Sequence, residues 1–314
     1  MSNPTRRSFS KVGRNFCILT ILSSVLQNVA LYTAAAVQPT LLQQDWSYFA
    51  LITLPWYLLA LPYCAILLRM QTTGVPPKHT PRVSCALQIL PVSITIMYLG
   101  NIIGMVTSRV FGQIFGGEAE NRVADLIGQT RTSTAVIFVV ILAPIAEELL
   151  FRKFLIDAVY PYGEKTAVLL SGLMFGAFHG NLYQFFYAAG LGCVFAYVYC
   201  KTGRVRYTMM LHAFINFLGS VVAPKILSLV DQNALQSGDL TTLQNNLPGL
   251  AIYFLYVFLL LGAAIGGLII LCVRRRDIVF LRGSTKATVS EIFLNTGMIV
   301  YFLLMLISII AALF

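Results

Sequence analysis

The chain has 314 residues, of which 58% are hydrophobic and only 11% are charged, and its formal net charge is +10. Because soluble globular proteins have about 25% charged residues, this composition excludes a water-exposed surface over the whole chain. It predicts an all-α polytopic transmembrane helix bundle, with residues 1–314 forming one integral membrane domain in a lipid bilayer. The basic residues lie in short loops between apolar runs, so nucleic-acid binding is not expected.

Nine apolar stretches reach or approach the ~20 residues with which a helix crosses a bilayer. In chain order, the predicted spans cover residues 16–37, 47–68, 84–107, 134–156, 166–182, 184–200, 207–223, 249–273 and 291–314. The first is longer than a signal-peptide core, which predicts a retained signal-anchor helix. Spans five and six should form an antiparallel hairpin at a short turn near Asn181. The polar segments 108–133 and 224–248 are expected to carry short interfacial helices.

The distribution of the 22 Lys and Arg residues predicts the topology. If the N-terminus is cytoplasmic, successive loops lie on alternating sides of the membrane. Most of these basic residues, including Arg152 and Lys153, then lie on the cytoplasmic side. The outer segments then hold only four basic residues, namely Arg109, Arg122, Arg131 and Lys225. This asymmetry is typical of the positive-inside rule. It predicts a multi-pass protein, assigned to the cell membrane, with its C-terminus outside.

Two adjacent carboxylates, Glu147 and Glu148, lie inside the fourth apolar span. A charge at mid-membrane costs at least ~2.5–3.5 kcal/mol, so both should face the bundle interior or a wet cavity. Glu148 and Arg152 are i,i+4 neighbours and can pair, which leaves Glu147 free to meet another helix. Pro144 is expected to kink and loosen this helix near the site. A structural polar cluster that locks helices together is the alternative.

Spans five and seven each carry a histidine beside a second special residue at helical spacing. Gly172, Gly176 and His179 share one face of span five, and small residues at this spacing let helices approach closely. His212 and Asn216 are i,i+4 neighbours, so an imidazole and an amide can donate into one cavity. Taken singly, each histidine could instead be a hydrogen-bonded packing residue.

Three short motifs in this order resemble the signature of the CPBP family: Glu147-Glu148-x-x-x-Arg152, Phe175-x-x-x-His179 and His212-x-x-x-Asn216. This family comprises the CAAX-type prenyl-protein endopeptidases and the bacteriocin-processing or self-immunity membrane peptidases, also called Abi proteins. The resemblance covers about residues 134–223 and implies catalytic core helices there. Residues 1–133 and 224–314 would then supply flanking helices and loops.

The resemblance implies an intramembrane endopeptidase and a role for each motif residue. Glu147 would be the base that activates water, helped by His179. Glu148 would support the site and hold Arg152. Arg152 and Phe175 would have structural roles.

In the same comparison, His212 and Asn216 would stabilise the oxyanion of the tetrahedral intermediate. A metal mechanism competes, because Glu147, His179 and His212 could form a His₂Glu set for zinc or another divalent metal. Asn216 fits a metal-free mechanism better, because an amide is a poor zinc ligand and a good hydrogen-bond donor. No cofactor is firmly predicted.

Two other classes of function stay open on the sequence alone. One is a catalytically inactive scaffold or bacteriocin self-immunity protein, and the other is a proton-coupled transporter, which would favour inverted repeats. The expected substrate is a peptide or protein, either lipid-modified or of the leader or bacteriocin type. One geometric tension remains, because the span limits place His212 near the inner surface and His179 nearer the outer one. A common site requires span five to start later or tilt, or span four to dip inward.

Overall fold

The computed structural model describes residues 3–116, 121–231 and 240–313. Within these ranges, seven helices are long and apolar enough to cross a membrane, as predicted for a polytopic helical bundle. The helices are α1 Pro4–Val37, α2 Asp45–Arg69, α3 Val83–Phe115, α4 Arg122–Gln129, α5 Thr132–Tyr162, α6 Glu164–Phe178, α7 Leu182–Thr202, α8 Val205–Leu227, α9 Leu240–Arg274, α10 Val289–Phe293 and α11 Thr296–Ala311.

Two of the nine predicted spans are too short to cross a bilayer alone. Helices α6 and α11 have 15 and 16 residues. At about 1.5 Å per residue they are roughly 22–24 Å long, less than the ~30 Å hydrocarbon core. His179 directly follows the C-terminal end of the short α6.

Short interfacial helices were predicted in the polar segments 108–133 and 224–248. Helix α4 lies in the first of these segments. Residues 117–120 of the first segment and 232–239 of the second lie outside the described residues. Helix α9 leaves most of its apolar surface outside the bundle, since only 6% of its most apolar window is buried. Leu255, Phe258 and Leu259 are among its exposed side chains. An apolar surface of this kind is stable only in an apolar solvent.

Within the described residues, four turns inside the long helices are widened to π-helical geometry. They are Trp56–Ala60, Val136–Leu142, Leu149–Phe154 and Leu218–Val222. Three of them end just before a proline, namely Pro62, Pro144 and Pro224. A proline has no N–H and its ring collides with the carbonyl of the preceding turn, so a wider turn relieves the clash. The loosening expected at Pro144 is confirmed.

Helices α6 and α7 form the predicted hairpin, with Asn181 capping α7. A Cβ atom added to Gly172 would lie 2.3 Å from the Cys193 sulfur, and one added to Gly176 would lie 2.6 Å from Cβ of Ala189. Only glycine permits this approach, as the sequence indicated.

The open end of the hairpin is tied by Lys201, which donates a hydrogen bond to Glu164. The N-terminal end of α6 and the C-terminal end of α7 therefore lie side by side.

Candidate active site

Glu148 is the most enclosed charged group of the site. One carboxylate oxygen lies 3.0 Å from Nε of Arg152, and the other lies 3.0 Å from Nδ1 of His212. The side chains of Glu148 and Arg152 are both 0% exposed, so the predicted i,i+4 pair is confirmed. The topology prediction counted Arg152 among the charges of an inner loop. This was wrong, because its side chain is buried beside Glu148.

The guanidinium of Arg152 is surrounded by aromatic rings. Its central carbon lies 4.4, 5.5 and 6.0 Å from the ring centroids of Phe175, Phe195 and Phe151. Among the described residues, its Nη1 and Nη2 atoms have no hydrogen-bond partner. The aromatic faces supply part of the missing stabilisation through cation–π contacts. Sequence reasoning singled out Phe175 but missed Phe151 and Phe195, because an aromatic residue in an apolar helix carries no special signal.

His212 lies between the two carboxylates. Its Nε2 atom is 3.8 Å from the Glu147 carboxylate, opposite the Nδ1 atom that faces Glu148. Neighbouring residues of one helix thus reach the same imidazole from two sides. Unlike Glu148, the Glu147 side chain is partly accessible, with 18% exposed.

His179 follows the last residue of α6, and its Nδ1 atom lies 2.8 Å from the carbonyl oxygen of Phe175. A backbone carbonyl can only accept, so Nδ1 carries the proton and Nε2 of the neutral ring keeps a lone pair. The Phe175 ring meets both imidazoles edge-on, at centroid distances of 4.9 Å to His179 and 5.7 Å to His212. Glu147 and His179 are close enough to interact electrostatically.

Asn216 is held by a carbonyl that Pro144 leaves without its usual partner. In the widened turn, the N–H of Ala143 bonds to the oxygen of Phe138, five residues earlier. The next bond of this pattern would join residue 144 to Val139, but proline has no N–H. Nδ2 of Asn216 fills this place by donating to Val139 oxygen at 2.9 Å. An amide nitrogen has two N–H groups, and this bond uses one.

A cavity of about 420 Å³ adjoins the site, and Glu147 and Val139 line it. The flanking helices form most of its remaining wall, and Trp56 and Tyr57 come from the widened turn of α2. Sequence reasoning did not include these residues. The cavity gives Glu147, unlike Glu148, a space in which a substrate and a water molecule can meet.

The sequence also suggested Glu147, His179 and His212 as ligands of a metal ion. Within the described residues, no group of three or more His, Cys, Asp or Glu side chains is arranged to hold a metal ion. Glu147, His179 and His212 therefore do not form a three-ligand set in this structure. Nδ1 of each imidazole is already hydrogen-bonded, one to a backbone carbonyl and one to Glu148.

The fold and the site define an integral, multi-pass helical membrane protein with ionisable residues gathered inside its bundle. Residues 130–218 match the family described as "Type II CAAX prenyl endopeptidase Rce1-like". The chain is also 32% identical over 124 residues to "Putative membrane peptidase YdiL" of Bacillus subtilis (strain 168), a match that covers 38% of this chain and 49% of that protein. No solved structure matches the chain.

The family match and the bacterial relative support the resemblance of the segment that carries the three motifs to the CPBP family, as its residues predicted. The chain spans about half the length of the curated relative that it matches.

Proposed function

We propose that this protein is an intramembrane endopeptidase that hydrolyses a peptide bond with water activated by Glu147. The observation that carries the proposal is the contrast between the two carboxylates. Glu148 is enclosed by Arg152 and His212, whereas Glu147 reaches His212 and also lines the cavity. The family match of the core helices and the name of the bacterial relative support a peptidase.

In the first step, Glu147 accepts a proton from water while the water oxygen attacks the carbonyl carbon of the substrate. His179 assists, because its Nε2 lone pair can accept a hydrogen bond from the same water. A positioned base of this kind contributes roughly 10²–10⁴-fold in rate.

In the second step, the former carbonyl oxygen carries the negative charge. Asn216 can donate its second N–H to this oxygen. Nε2 of His212 can donate only when the ring is doubly protonated, because Nδ1 already donates to Glu148. Preorganised donors in a dry site are worth roughly 10²–10³-fold each.

In the last step, Glu147 passes the proton to the amide nitrogen and the C–N bond breaks. The new carboxylic acid gives its proton to the amine, so a carboxylate and an ammonium group leave. All these steps use groups of this chain and one water molecule. We place the protein in the cell membrane with a cytoplasmic N-terminus and an outer C-terminus, in accord with its basic loops. The proposed substrate is a peptide or protein reached from the bilayer, either lipid-modified or of the leader or bacteriocin type.

The proposal is tested by comparing the peptides of host cells that carry the wild-type chain or Glu147→Ala. Cleavage products of at least one membrane-associated protein should occur only with the wild type. Asp125→Ala, which changes an exposed carboxylate of α4 outside the spanning helices, is the control. Identical peptide sets in all three strains would favour a scaffold or self-immunity protein. Chelator treatment of the purified protein should leave turnover unchanged, and a loss that zinc restores would assign the chemistry to a metal.

A further inference from the structure

A polar stripe on α1 faces the cavity that holds Glu147. It consists of four side chains at i, i+3, i+4 and i+7, namely Thr20, Ser23, Ser24 and Gln27. Helix α1 lies outside the segment that matches the family, and the motif residues do not include this stripe. Polar groups inside an apolar membrane helix usually face a bundle interior or a ligand path.

Three hydroxyl groups of the cavity wall offer acceptors, and not donors, to a ligand. Thr20 and Ser23 of α1 and Thr53 of α2 each donate to the carbonyl four residues earlier in their own helix, at 3.0, 2.6 and 2.6 Å. A hydroxyl has one hydrogen, so only its lone pairs remain for a ligand. The carboxylate of Glu147 adds a further acceptor to the same cavity. The wall therefore suits a ligand with a row of N–H groups.

The spacing of the stripe matches the repeat of an extended peptide. Thr20 and Ser24 are separated by one helical turn, a rise of about 6 Å along the axis of α1. In an extended strand, N–H groups on the same side recur every second residue, about 6.6–6.8 Å apart. A strand lying along α1 could therefore direct successive N–H groups at successive hydroxyls.

Other side chains that line the cavity are aromatic and suit the apolar side chains of such a strand. They are Phe49, Trp56, Phe138 and Phe178. Trp56 is only 7% exposed, and its indole N–H has no hydrogen-bond partner within the described residues.

We propose that this cavity binds an extended, uncharged stretch of polypeptide along α1, with its N–H groups on the hydroxyls of Thr20, Ser24 and Thr53. The inference rests on the proposed function, because it places the bond to be cleaved beside Glu147. Under this proposal, α1 and α2, which lie outside the catalytic segment, select the substrate. A negatively charged substrate residue is disfavoured here, because Glu147 would repel it at short range.

Binding can be followed without turnover, because the chain has only two tryptophans. Trp46 is exposed and lies outside the cavity, so Trp46→Phe leaves Trp56 as the reporter. In a Trp46→Phe, Glu147→Gln protein, emission is titrated with a capped peptide of valine, alanine and serine. A second peptide replaces the central amide by an ester, which removes one N–H and keeps the shape.

The decisive comparison uses the triple variant Thr20→Val, Ser24→Ala and Thr53→Val, which removes the three hydroxyls of the proposal. Thr107→Val is the control, because Thr107 also donates to the carbonyl four residues earlier, at 2.7 Å, but lies outside the cavity. The ester peptide should bind roughly 3–10-fold more weakly than the amide peptide to the control protein. The triple variant should bind both peptides with equal affinity.

Equal affinity of the two peptides for the control protein would overturn the inference, as would an emission signal that does not saturate. The proposed function is judged separately. It fails if Glu147→Gln leaves cleavage unchanged, whatever the titrations show.

Discussion

The packed side of α5 around Glu148 and the cavity side around Glu147 place two identical side chains in opposite environments. Glu148 is completely buried and meets Arg152 and His212. Glu147 is partly exposed, lines the cavity and approaches His212 from the other side. Under the proposed function, the two adjacent carboxylates have different roles. Glu148 holds the site together, and Glu147 stays accessible for the reaction.

The largest effect is expected when the accessible carboxylate loses its charge. Glu147→Gln should lower kcat by roughly 10²–10⁴-fold, because the amide cannot accept a proton from water. The unfolding temperature should stay near that of the wild type, since Glu147 has no ion pair of the kind that Glu148 makes. Peptide cleavage by protein in detergent and a thermal unfolding curve measure the two quantities. If Glu147→Gln cleaves the peptide as fast as the control variant Glu291→Gln, Glu147 is not the base.

The opposite pattern is expected on the packed side. Glu148→Ala leaves the Arg152 guanidinium buried without its carboxylate, which should lower the free energy of unfolding by about 3–5 kcal/mol. Denaturant unfolding in mild detergent measures this loss. Combining Glu148→Ala with Arg152→Met should restore much of the stability but not the turnover, because His212 would still lack its partner. A single Glu148→Ala variant as stable as the wild type would show that the two sides do not differ.

A somewhat smaller loss, confined to turnover, is expected for the amide beside the cavity. Asn216→Ala should lower kcat by roughly 10²–10³-fold, the usual effect of removing one donor to an oxyanion. Asn28→Ala is the control, since Asn28 is exposed and donates to a carbonyl of its own helix at 2.8 Å. If KM rises while kcat is kept, Asn216 contacts the ground state of the substrate and not the intermediate.

The smallest effect is expected for the aromatic residue that joins the two sides. Phe175→Leu keeps an apolar side chain but removes the ring that meets Arg152, His179 and His212. Relative to Phe9→Leu, another buried core position, it should lose about 1–2 kcal/mol of additional stability. Equal losses at both positions would show that the charged and imidazole contacts add nothing to simple packing.

The sequence by itself determined the features that depend on local geometry. The apolar runs indicated the helices, because about 20 apolar residues have no stable place in water. The i,i+4 spacing of Glu148 and Arg152 predicted their pair, and Gly172 and Gly176 predicted the close helix contact. These conclusions need only the period of one helix.

Only the tertiary structure decided how those helices meet. That His212 bridges both carboxylates, that Phe195 backs Arg152, and that α1 adds a polar wall to the cavity depend on contacts between residues far apart in the chain. The sequence also overestimated the reach of α6, because a run of apolar residues does not show where a helix stops. Side chains on different helices meet according to tilt, depth and rotation, and these follow from the packing of the whole bundle and not from the periodicity of any one segment.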